Sequence, residues 1–140
     1  MDVLNTQLIP AFKVLETLMD VGNLRPDVKQ AVFVNHARFK PEVQAFERVR
    51  IDTIRQHAEK DEEGQMITEN DRPVFADDET EAVAQADLDT LLENSVEITV
   101  QRMDVGALFA CNRVTARDIS KIDFMLSGDE ELLSVIDDME

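Results

Sequence analysis

The residues able to do chemistry are few in kind and scattered along the chain. His36 and His57 stand 21 residues apart. A zinc site on a helix needs histidines at i and i+4 with further ligands, and no HExxH is present. His57 instead precedes Asp61 by four residues, which predicts an ordinary hydrogen bond at a helix end. The single cysteine, Cys111, lies in the apolar stretch ALFACNRV and is expected to be a small buried hydrophobe. Acting as a nucleophile would require a thiolate-stabilising neighbour such as Arg113. Asp77, Asp78, Glu79 and Glu81 are the densest carboxylates near a helix start. They could gather a divalent cation, or stand in for a row of phosphates. Segment 59–70, EKDEEGQMITEN, sets Asp61, Glu63 and Gly64 at calcium-loop positions three, five and six. Its twelfth position is Asn70, which cannot supply the bidentate carboxylate that closes such a site. There is no GxGxxG, Walker loop or GxSxG. No Trp or Tyr offers a stacking platform for bases. The patterns therefore predict no catalytic residue, no cofactor and no metal site. A metal-dependent enzyme working through Asp77–Glu81 is the residual catalytic alternative.

Apolar spacing sets the elements that position these groups. A first helix is expected over 10–20, opened by Pro10 and carrying Phe12, Leu15, Leu18 and Met19. Residues 3–8 lead into it as a short strand or plain coil. A second helical pattern runs from Pro26 to His57, with Pro41 implying one kinked helix or two meeting near Lys40. The turn EKDEEG is followed by 65–67 and 73–75 flanking 69–71, which suits a short hairpin or an extended loop. A helix over 78–93 is favoured by acids in its first turn. Alternation over 95–101 predicts a strand. Residues 103–114 fit a strand or a loop, and 116–126 fits a helix with Thr115 and Asp118 at capping-box spacing. The tail 129–140 is a marginal helix that orders only if it docks. No internal repeat is visible. The sum is a mainly α-helical α+β domain: antiparallel amphipathic helices with a small sheet or hairpin, compact over 1–128 and ending in an acidic tail over 129–140.

The charge is lopsided. Thirty acids against fourteen bases give −16 over 140 residues. Residues 1–60 are nearly neutral, while 61–140 carry 22 acids and five bases. So acidic a surface repels nucleic acid and anionic lipid and favours a basic partner or mere solubility. No apolar run approaches the roughly 18 residues needed to span a bilayer. The opening MDVLNTQLIP lacks a signal peptide's basic start and apolar run. A lone cysteine suits a reducing compartment. The expected location is the host cytoplasm or a virion.

In the order of its features the chain resembles a family of small uncharacterised proteins of tailed bacteriophages. The features are IPAFKVLETL (9–18), AFERVR (45–50), EKDEEG (59–64), LLENSVEITV (91–100) and SKIDFML (120–126). The resemblance implies a phage origin and a non-enzymatic virion or assembly-accessory role. No catalytic residue comes with it. Two functions follow as expectations. The first is a protein-interaction protein contacting a phage structural protein through Leu132, Leu133 and Ile136. The second is an acidic nucleic-acid mimic that occupies a basic host DNA-binding or defence protein through Asp77, Asp78, Glu79 and Glu81. Neither binds nucleic acid or membrane directly, and homo-oligomerisation is left open.

Overall fold

The computed structural model describes residues 1–138. Strand β1 (Asp2–Leu4) runs directly into helix α1 (Asn5–Met19). The helix starts five residues before the position Pro10 predicts, because Leu8, Ala11, Leu15 and Leu18 share one buried face. The Gln7 side chain also reaches back to accept the Leu4 amide at 3.0 Å. Pro10 thus lies inside the helix, without the bond its N–H would have given to Thr6. After a tight corner, helix α2 (Pro26–His57) packs along α1. It passes through Pro41 as one continuous helix, about 48 Å long at 1.5 Å per residue.

A two-residue turn with Asn70 and Asp71 both at positive φ joins β2 (Thr68–Glu69) to β3 (Arg72–Pro73). Positive φ at both central residues is the primed turn that Asn and Asp tolerate best, so 65–75 is a hairpin. Helix α3 (Asp78–Glu93) follows as its spacing predicts. The strand expected over 95–101 is paired only as β4 (Ser95–Glu97), antiparallel to the three-residue β1. Beyond it, α2 side chains take over the ladder's role. Asn35 accepts the Gln101 amide at 2.7 Å and donates to its carbonyl at 2.9 Å, and Arg38 donates to the Thr99 carbonyl at 2.8 Å.

Residues 103–114 divide into β5 (Met103–Asp104), helix α4 (Val105–Phe109) and a turn. The single helix expected over 116–126 is α5 (Ala116–Ser120), a 3₁₀ turn (Asp123–Met125) and β6 (Leu126–Ser127). It breaks because Leu126 and Ser127 are drawn out to pair in parallel with Met103 and Asp104. Helix α6 (Glu130–Asp138) then docks on α4, α5 and the 3₁₀ turn. Met139 and Glu140, the end of the acidic tail, lie outside the described residues.

The fold is mainly helical α+β, with small two-stranded pairings. One core gathers Val3, Leu8, Leu15, Phe39, Met103, Leu108, Ile122 and Ile136. No described helix is long and apolar enough to cross a membrane. The structure also holds a repetition that the sequence hides. The corners at 15–30 and 105–120 share one layout of helix end, turn and helix start, with Leu18, Val21 and Leu24 matched by Leu108, Cys111 and Val114 as buried pegs. Asp104 lies 3.8 Å from Arg25 and links the second corner to the first.

Candidate functional site

The acid-rich segment does not share the body's core. Residues 58–86 bury only Ala58 and Ala84. They form a distal lobe beyond the C-terminal end of α2. Its backbone is tied by Glu59 N–H to the Val74 carbonyl at 2.7 Å and by Val74 N–H to the Ile67 carbonyl at 3.0 Å. The carboxylate of Asp61 accepts the amides of Glu63 and Gln65 at 2.9 Å each. Asp61 is therefore occupied in shaping a turn, and Gly64, at φ 81, completes it. His57 meets not Asp61 but Asp87 of α3, at 2.8 Å. That hydrogen bond fastens the end of α2 to the middle of α3, a partnership that sequence spacing cannot reveal.

Over residues 58–93 thirteen acids face only two bases, Lys60 and Arg72. Within this stretch Asp77 caps α3, accepting the Thr80 amide at 2.7 Å. Hydrogen bonding from Thr80, side chain and backbone, holds its carboxyl below the usual carboxylate range. Asp78, Glu79 and Glu81 follow on the exposed first turn, where the helix dipole favours their charge. The four are thus neighbours on one helix end, one spent as a cap and three facing solvent. No three His, Cys, Asp or Glu side chains among the described residues are grouped to hold a metal ion.

The three tail residues part company. Ile136 is 0% exposed and belongs to the core, so it has no surface to offer a partner in this conformation. Leu132 and Leu133 are half-buried against the same core. Amphipathic spacing marks all three as a docking stripe, and α6 uses that stripe to dock on its own chain. The exposed apolar residue among those described on that helix is Val135.

His36 stacks on Phe12 with ring centroids 4.5 Å apart. Cys111 is buried as expected, beside an open cleft of about 290 Å³ lined by Leu24, Arg25 and Ala107. Two surface features escaped the sequence reading. One is a set of separate exposed apolar side chains: Phe33, Val49 and Val83 are 44%, 48% and 47% exposed, and Ile51 turns outward on the face of α2 opposite Val49. The other is cationic: Lys13, Arg113 and Lys121 surround a cleft of about 160 Å³ between α1 and the second corner. The signal for the second was available in the spacing of Arg113, Arg117 and Lys121 within a strongly acidic half. What it lacked was Lys13, which only the fold brings near. No family model matches the chain, and no curated protein or solved structure is similar to it.

Proposed function

We propose that this chain is a non-enzymatic, phage-type protein-interaction protein, a virion component or assembly accessory acting in the host cytoplasm or the particle. The observation that carries the reading is the uneven distribution of burial. The body closes a core of its own, whereas 58–86 contribute almost nothing to it and turn their side chains outward. Surface that yields so little burial energy within the chain is surface available for another molecule. Val83, and Val49 on α2, are exposed apolar side chains open to serve as anchors, and the acids supply a polar surround. Asp77, Asp61 and the His57–Asp87 pair are engaged in a cap, a turn and a hydrogen bond between helices, which are structural tasks.

Affinity capture from infected cells tests this. Recovery of capsid or tail subunits, reduced by Val49→Ser with Val83→Ser, is the expected result. Capture that recovers no phage structural protein overturns it. A second reading is favoured by the thirteen-to-two acid excess of 58–93: mimicry of nucleic acid toward a basic host protein. Recovery of a DNA-binding protein that is released steeply between about 0.1 and 0.5 M salt selects that reading.

A further inference from the structure

Bases are rare after residue 60, yet they are not spread out. Four of the five, Arg102, Arg113, Arg117 and Lys121, fall within 102–121. The fold adds Lys13 from α1, so that Lys13, Arg113 and Lys121 ring one cleft over a floor of Val14 and Val114. Placing like charges side by side costs free energy. It does so here in a chain with more than twice as many acids as bases, where neutralising partners would be easy to supply. The acid at the cleft is already committed, because Asp118 accepts the Thr115 amide at 3.0 Å and stands 3.8 Å from Lys121. Among the described residues Lys13, Arg113 and Arg117 have no ion-pair partner. At about 160 Å³ the cleft is below the range of small-molecule pockets and fits carboxylate side chains.

This chain carries the matching surface. The first turn of α3 presents Asp78, Glu79 and Glu81, all exposed, on a helix that has no base. No ion pair joins them to the cleft within one molecule. We propose that the cleft of Lys13, Arg113 and Lys121 receives the acidic first turn of α3 from a second copy of this chain, joining copies head to tail. Cleft and turn are different surfaces, so the contact is heterologous, and repetition gives a ring or a filament according to the angle between copies. The inference stands apart from the identity of any phage or host partner, since it concerns the purified chain alone.

Sedimentation velocity of the full chain across concentration, at physiological salt, is the test. The wild type is expected to associate as concentration rises. K13E/R113E/K121E is expected to weaken association by about tenfold or more, and D78K/E79K/E81K by a similar factor. Circular dichroism checks that each variant is folded. D78N/E79Q/E81Q serves as the milder variant, because cations at a helix N-terminus oppose its dipole. Mixing the two charge-reversed proteins is the sharpest arm. Each alone stays monomeric, while the mixture associates, because reversed cleft meets reversed turn and native cleft meets native turn. A wild type that stays monomeric to about millimolar concentration overturns the proposal. So does a cleft-reversed variant that associates like the wild type, or a folded pair that does not associate when mixed. A monomeric wild type that binds a poly-glutamate peptide through Lys13 and Arg113 also overturns it, assigning the cleft to a foreign acidic segment.

Discussion

The body and the distal lobe are built from the same local devices and differ in what stands behind them. Each has a glycine at positive φ, Gly128 in the body and Gly64 in the lobe. Each has an aspartate holding a helix start, Asp118 at α5 and Asp77 at α3. In the body these devices sit on a core that includes Phe39, Leu108, Ile122 and Met125. In the lobe they sit on Ala58 and Ala84. Turn chemistry and capping are thus sufficient to specify a shape, while apolar burial decides how firmly the shape is held.

The largest loss of stability is expected in the core. Phe39 is fully buried and lies 6.2 Å from the Phe124 ring, so Phe39→Ala is expected to cost about 3–5 kcal/mol and to unfold the whole chain at a lower Tm. Next is Asn35→Ala, which removes a buried side chain and leaves the half-buried Gln101 backbone N–H and C=O without their bonds to it. A loss of about 2–3 kcal/mol is expected in urea titration, with the slope unchanged. The two glycines then sharpen the contrast directly. A Cβ at Gly128 would stand 2.5 Å from Asp104 Oδ1, whereas a Cβ at Gly64 meets open space. Gly128→Ala is expected to cost about 2 kcal/mol of global stability and so to lower Tm, since positive φ is joined by displacement of the Asp104 carboxylate. Gly64→Ala costs about 1 kcal/mol, confined to the lobe and leaving the global Tm nearly unchanged. The smallest effect is in pH. The Thr115 backbone amide is the main influence holding Asp118 below its ordinary value, as Thr80 does for Asp77. Each therefore contributes stability that is present above about pH 4 and is lost as the pH falls through its lowered folded-state value. Acid titration followed by amide signals should release the start of α3 before the body unfolds. The same signal in Asp77→Asn should already be weakened at neutral pH.

Most of the helical architecture is legible in the residues, and the exceptions share one cause. Spacing of apolar side chains locates α2, α3 and the buried face of α1. The segment 65–75 reads as a hairpin or a loop, and the positive φ of Asn70 and Asp71 makes it a hairpin. What spacing does not convey is pairing at a distance. The segment 116–126 has the periodicity of one helix, but β6 is drawn out by β5, which lies more than twenty residues away in the chain. The strand over 95–101 is cut short because its partner has only three residues, and Asn35 of α2 replaces the missing ladder. The tetrapeptide MDVG occurs at 19–22 and at 103–106. At the first place it ends α1, and at the second it opens α4. Tertiary surroundings decide between those uses. The candidate site shows the same limit. The acids of α3 are plain in the sequence, whereas Ile136 looks like a docking residue until the fold turns it inward. The cationic cleft needs Lys13, a hundred residues from Arg113, before it exists at all.

Native-state hydrogen exchange measured amide by amide tests the division between body and lobe most directly. Amides paired within 58–76, such as Glu59 and Val74, are expected to exchange through local openings of low free energy and to be insensitive to mild denaturant. Amides of α1 and of the first half of α2 exchange only through global unfolding. Equal protection of the two sets, both falling together with denaturant, would contradict it.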